Sequence, residues 1–207
     1  MSGKTVRVFW AVRPAGAAIA AAAESIRALK QPCKQLGLDM GWVPPESMHV
    51  TLKFLGDVAE GALGDMVDRV TRGLAGLPPL LLSIGGLGVF PAPRRPQVLF
   101  AGAFEDAPGQ AAQLGALQAR LEDLLAELGH PREERAFHPH LTLGRVRRAA
   151  PDAGREAAVS ALLDAHRDLR CGPPSRIAEL ILYESSFSGG GSGGPVYTPL
   201  ARLPLSA

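Results

Sequence analysis

His49-Val50-Thr51-Leu52 and His140-Leu141-Thr142-Leu143 repeat one pattern, a histidine and a threonine each followed by an apolar residue. The chain of 207 residues holds only five His and five Thr, so two such pairs at one spacing are hard to reach by accident. In a strand, alternate side chains share a face, so each copy offers one imidazole and one hydroxyl to one surface while Val50/Leu52 or Leu141/Leu143 occupy the other. Imidazole ionises at about pH 6.5, which lets a neutral and a protonated copy coexist near neutrality. Two facing copies suit an in-line displacement, in which a base on the entering side and an acid on the leaving side act together. Thr51 and Thr142 can donate to the non-bridging oxygens of a tetrahedral anion held between the rings.

Two neighbours are less simple. Arg145 follows Thr142 by three positions, so alternation turns it away from His140 and Thr142 unless Gly144 introduces a bulge. Phe54 is five residues past His49, which places it opposite that ring; a core position is the commoner fate of such a residue than a base-stacking platform. His138 and His140 as a metal pair would need a third ligand, and with His130 and His166 the remaining histidines and no nearby acidic cluster, acid/base work is the better reading.

The apolar fraction of 46% can fill a sizeable core in one domain or two small lobes. A net charge of +2 is too mild for a protein that coats nucleic acid, yet Arg145, Arg147 and Arg148 cluster just after the second motif, so an anion site should be local. Cys33 and Cys171 lack any C-x-x-C partner and read as free thiols in a reducing compartment. There is neither an apolar run of membrane-spanning length nor a signal-peptide pattern, which makes the cytoplasm the expected location.

The elements that must position these residues follow from periodicity. Thr5 to Val12 alternates as a strand with Val6, Val8, Trp10 and Val12 on one face. Ala15 to Leu36 has helical spacing, with Pro32 expected to kink or divide it and Gly37 to cap it. The first motif strand is predicted from Met48 to Leu55, closed by Gly56-Asp57, followed by an amphipathic helix from Leu63 to Leu77 and strands at Leu80 to Ile84 and Gln97 to Ala103. The order then recurs: a helix from Leu114 to Leu128, the second motif strand from Pro139 to Val146, a helix from Gly154 to His166, and strands at Ile177 to Tyr183 and Val196 to Leu203. Ser188 to Gly194 matches G-x-G-x-x-G and G-x-S-x-G only through low complexity and reads as a flexible hairpin loop. Each half thus runs helix, motif strand, helix, strand, strand, and residues 1–207 read as one domain of two pseudo-repeat halves, about 14–103 and 109–203. Packed about an approximate two-fold axis, they would bring the motif strands together across one cleft.

The stretches Trp42-Val43-Pro44-Pro45, His49 to Gly56 and Pro139 to Arg145, with Gly86-Leu87-Gly88-Val89-Phe90-Pro91 and the closing Tyr197-x-x-Leu200, resemble the 2H phosphoesterases. Among these, the chain is most similar to the RNA 2′,3′-cyclic phosphodiesterases, also called 2′-5′ RNA ligase-like proteins. The resemblance implies a bilobed α+β fold with antiparallel sheets facing a central cleft and helices outside. It also implies hydrolysis of an RNA terminal 2′,3′-cyclic phosphate to a 2′-phosphate, without metal or cofactor. It makes His49 the proton donor to the leaving 3′ oxygen and His140 the base that activates water. Thr51, Thr142 and Arg145 would hold the phosphate, Phe54 would stack on the terminal base, and 2′-5′ ligation is a further activity of such proteins. The expected partner is an RNA end, with no membrane, and the chain is expected to act as a monomer. Two rivals share the cleft: a non-catalytic RNA-end binder, and a phosphodiesterase for a small cyclic nucleotide.

Overall fold

A computed structural model describes residues 4–105, 113–149, 154–187 and 194–206. The strands are β1 (Thr5–Val12), β2 (Leu38–Trp42), β3 (Val50–Ala59), β4 (Leu80–Phe90), β5 (Val98–Phe104), β6 (His140–Ala149), β7 (Ser175–Ile177), β8 (Glu179–Ser186) and β9 (Val196–Pro204). The helices are α1 (Gly16–Gln35), α2 (Leu63–Leu74), α3 (Gln113–Ala126) and α4 (Arg155–Ala165). The strands form one curled antiparallel sheet in the order β7-β4-β5-β6-β3-β1-β8-β9, with β2 added alongside β6. The fold is α+β, as the resemblance implied.

The motif strands meet at the middle of this sheet. β3 carries β1, β8 and β9 on its outer side, and β6 carries β5, β4 and β7 on the other. β3 therefore lies beside β1 and then beside β8 of the second half, while β6 lies beside β5 and then β4, both of the first half. The halves are interlocked through these exchanges, and β1 belongs to the motif lobe although it precedes residue 14.

One face of the sheet is closed by helices. Val6, Val8, Trp10 and Val12 of β1 enter the same core as Ile26 and Leu29 of α1, Met66 and Val70 of α2, and Leu121 and Leu124 of α3. On the other face of β1, Phe9 and Ala11 join Ile181, Tyr183 and Tyr197 in a small separate cluster. That face carries the chemistry.

Several boundaries differ from the periodicity reading for local reasons. α1 runs undivided through Pro32; the hydrogen bond that its ring removes would have gone to the carbonyl of Ala28, an exposed residue whose oxygen water can satisfy. β3 does not end at Gly56-Asp57, because Gly56 at φ 73° takes up a bulge and lets pairing continue to Ala59. Gly86 at φ 65° does the same in β4, extending it to Phe90. The predicted strand Ile177 to Tyr183 is divided at Ala178, with β7 pairing to β4 and β8 to β1. β2 escaped the periodicity reading, since Asp39 and Gly41 dilute its strand signal. Residues 188–193 of the glycine-rich segment lie outside the described residues; the strands on either side pair from Ser186↔Val196 to Glu179↔Pro204.

Candidate active site

The two motifs touch at their second residues. Val50 of β3 pairs with Leu141 of β6, the register pair that joins these strands, and both side chains are fully buried beneath the sheet. Because the pairing is antiparallel, the register sets His49 across from Thr142 and Thr51 across from His140, an arrangement with approximate two-fold symmetry about the Val50–Leu141 pair. All four side chains line one small cavity of about 80 Å³, together with Val43, Ser47, Arg145 and Tyr197.

Identical bulges redirect the residues that follow each motif. Along β3, Ala11 faces Thr51 but Trp10 faces Lys53, so Leu52 is an extra residue and alternation resets after it. Phe9, two positions from Ala11 and on its face, then pairs with Phe54. Along β6, Phe100 faces Thr142 and Leu99 faces Gly144, which makes Leu143 the extra residue and brings Val98 opposite Arg145. The condition attached to Arg145 is thus met, and Arg145 lines the cavity. Phe54 is turned to the same face by the equivalent bulge, correcting the expectation from plain alternation. It does not line the cavity: it is half exposed, 6.3 Å from the Phe9 ring, with the Arg7 guanidinium 5.0 Å above it.

Each imidazole is held in the same way. His49 Nδ1 lies 2.8 Å from the Ser47 carbonyl and His140 Nδ1 lies 2.7 Å from the His138 carbonyl. A carbonyl only accepts, so Nδ1 carries the proton that it donates, and Nε2 of each neutral ring is the end left to accept or pass a proton. The turn bearing Ser47 is itself clamped: Arg13 donates to the carbonyls of Pro45 (2.9 Å), Glu46 (2.9 Å) and Met48 (2.7 Å). β3 is anchored underneath through Lys53, whose buried ammonium pairs with Glu122 of α3 at 2.7 Å and donates to the Pro131 carbonyl at 2.7 Å.

Burial and neighbouring cations favour neutral rings in the free protein. Burial chiefly pushes His49 down to about 4, with the Ser47 carbonyl opposing and Arg13, Arg145 and His140 adding to the depression. His140 is also lowered, first by burial and then by Arg145 and His138, against the pull of the His138 carbonyl. The cavity combines cationic surroundings with hydroxyls and lacks a carboxylate among its lining residues, so it is built for an anion.

Aromatic rings support both histidines. Phe9 lies 4.8 Å from the His49 ring and Tyr197 meets it edge-on at 4.9 Å, while Phe90 meets His140 edge-on at 5.0 Å and Phe100 lies 5.2 Å away. Sequence reasoning did not assign roles to Phe9, Phe100, Ser47 or Arg13. The alternation Arg7-Phe9-Ala11-Arg13 on the face opposite the Val/Trp row held the signal for two of them. Among the described residues, no cluster of three or more His, Cys, Asp or Glu side chains is placed to hold a metal ion, and no helix is long and apolar enough to cross a membrane.

A curled α+β sheet with two His-x-Thr strands joined at its centre defines a two-histidine phosphoester fold, and comparison places the chain within it. The family model described as the 2'-5' RNA ligase superfamily matches residues 16–184, and the chain belongs to that family. A protein of Methanothermobacter thermautotrophicus named RNA 2',3'-cyclic phosphodiesterase is 31% identical over 86% of this chain and 89% of its own length. One of the same name from Aeropyrum pernix is 31% identical over 58% of this chain and 65% of its own. Among solved structures, a Thermus thermophilus protein superposes with a TM-score of 0.74 at 27% identity, covering 96% of this chain and 97% of that one. E. coli LigT complexed with 3'-AMP has the same fold, with a TM-score of 0.70 at 23% identity over 99% of this chain and all of LigT.

Proposed function

We propose that the protein hydrolyses the 2′,3′-cyclic phosphate of RNA ends to a 2′-phosphate by acid/base catalysis between His49 and His140, without a metal ion. The observation that carries this reading is the register pair Val50↔Leu141, which sets both imidazoles, each tied back through Nδ1, around one anion-sized cavity. The names of the relatives support the substrate class.

In this mechanism, His140 Nε2 takes a proton from water as its oxygen forms the new bond to phosphorus. The bond from phosphorus to O3′ breaks, and His49 Nε2 gives its proton to that oxygen. Thr51, Thr142 and Arg145 hold the non-bridging oxygens as negative charge grows on them, and Phe54 stacks against the terminal base. His49 is neutral in the free site, so it takes its proton along with the substrate, whose negative charge offsets the burial that holds the ring near 4. The same cavity supports 2′-5′ ligation when an RNA 5′-hydroxyl stands in place of water, because the atoms transferred are otherwise unchanged.

The test is turnover of an RNA ending in a 2′,3′-cyclic phosphate in excess EDTA, by wild type, His49→Ala and His140→Ala. Full wild-type activity with a loss of at least ~10²-fold in each variant is expected. Loss of wild-type activity in EDTA overturns the metal-free mechanism. Wild-type binding without turnover, with the variants altered in affinity alone, would make the chain an RNA-end binder.

A further inference from the structure

Beyond the reacting phosphate, a second concavity of the described surface has a composition that the hydrolytic site does not use. A groove of about 820 Å³ runs between the C-terminal end of α1 and β2. Lys30, Lys34 and Arg148 stand around it, with Trp42 and Met40 as apolar surface and Asp39 as its one acidic residue. Lys30 and Lys34 are four apart on α1 and so project from one face. Several exposed cations elsewhere are matched, Arg27 with Glu24, Arg69 with Glu127 and Arg132 with Asp123, whereas these three have no ion-pair partner among the described residues. Unpaired cations beside an indole ring suit a phosphodiester strand with bases that can stack.

The groove and the cavity draw lining residues from the same two stretches, β2 with the residue after it and β6. Trp42 lines one and the next residue, Val43, lines the other. On β6, Arg145 lines the cavity and Arg148 the groove; between them, Arg147 reaches across Gly41, where an added Cβ would come within 2.8 Å of its Nε. Three residues of strand cover about 10 Å, the reach of a nucleotide or two. Gly41, having no side chain, gives the Arg147 side chain room to lie over β2. The direction of the path also follows from register. His49 lies across from Thr142, and Arg145 continues β6 beyond Thr142, so the arginine row leaves the cavity at its His49 end. In the proposed reaction, that is the end where O3′ departs with the RNA's own ribose.

We infer that the Arg145–Arg147–Arg148 row and the Lys30/Lys34/Trp42 groove bind the RNA strand on the 5′ side of the reacting end. The inference rests on the reading of the cavity as a cyclic-phosphate site and adds a specificity for chain length. A mononucleotide fills the cavity alone, while a longer strand also occupies the groove.

The experiment compares wild type with a triple charge reversal, Lys30→Glu/Lys34→Glu/Arg148→Glu, on adenosine 2′,3′-cyclic monophosphate and on oligoadenylates of two, four and eight nucleotides ending in the same group. For wild type, KM should fall with length. The triple variant should raise KM for the octamer at least ~10-fold, flatten its salt dependence by about two in log–log slope, and leave kcat/KM for the mononucleotide within about two-fold. Equal losses on monomer and octamer, or a wild-type KM independent of length, overturn the inference.

A second readout does not depend on turnover. Trp10 is fully buried, so Trp42 is the responsive one of the chain's two tryptophans. Its fluorescence should be quenched by an octamer ending in a 3′-phosphate, and the triple variant should weaken that titration. Equal quenching by ATP would show a free-nucleotide site and refute the strand path. If wild type turns over no cyclic phosphate but the octamer still titrates Trp42, the hydrolytic reading fails and the groove stands.

Discussion

Folding buries a neutral His49, and this carries a measurable stability cost in acid. The unfolded ring titrates near 6.5 and the folded one at about 4, so between these values the unfolded chain binds more protons. A depressed folded-state value means that the stability is fully present above pH 6.5 and is lost as pH falls through the window toward 4. At 1.36 kcal/mol per pH unit, the loss attributable to this residue alone comes to about 2–3 kcal/mol by pH 4.5. Other groups also respond to acid, so the assay is a difference: urea unfolding of wild type and His49→Asn at pH 7.5 and pH 4.5. Asparagine keeps an N–H for the Ser47 carbonyl while removing the titration. Wild type should lose about 2–3 kcal/mol more than the variant between the two pH values. Equal losses, or an NMR titration that puts free His49 at or above 6.5, would refute the claim that burial holds this ring neutral. Adding inorganic phosphate during that titration should raise the His49 value, since an anion in the cavity favours imidazolium.

Three further expectations follow from the same contacts. The kcat/KM profile on a cyclic-phosphate RNA should be a bell for the coupled pair with its limbs below the ordinary imidazole value, because both rings are depressed in the free protein; limbs at or above 6.5 would contradict this. Glu122→Gln should destabilise the fold by about 3–5 kcal/mol in denaturant unfolding, since it leaves the Lys53 ammonium buried without its carboxylate; a Lys53→Met/Glu122→Leu double variant should recover much of that loss. Arg13→Ala removes three carbonyl contacts that fix the Pro45–Met48 turn and should lower kcat more than it raises KM, with Arg13→Lys intermediate; an unchanged kcat would show that the turn holds His49 without the clamp.

The two His-x-Thr pairs were legible because they combine chemistry with strand alternation, and the burial of Val50 and Leu141 follows directly from that period. Helices with unbroken apolar rows, such as Leu117, Leu121 and Leu124 of α3, were legible for the same reason. Alternation failed where a strand inserted an extra residue. Gly144 hinted at the bulge that turns Arg145 inward, but Leu52-Lys53 gave no such hint, so the equivalent reorientation of Phe54 could not be read. Strand exchange between halves was invisible too: nothing in the residues of β1 says that its partners are β3 and β8. Arg13 reads as an ordinary charge at a strand end, and only the turn folded against it reveals three carbonyl contacts.

The account stands on two imidazoles acting on one phosphorus atom from opposite sides. A crystal structure grown with inorganic phosphate tests it most directly. The account predicts a single phosphate in the cavity with His49 Nε2 and His140 Nε2 each at about 2.6–3.2 Å from different oxygens and the Arg145 guanidinium on a third. A phosphate touching one ring alone, or rings turned so that no tetrahedral group reaches both, would contradict it.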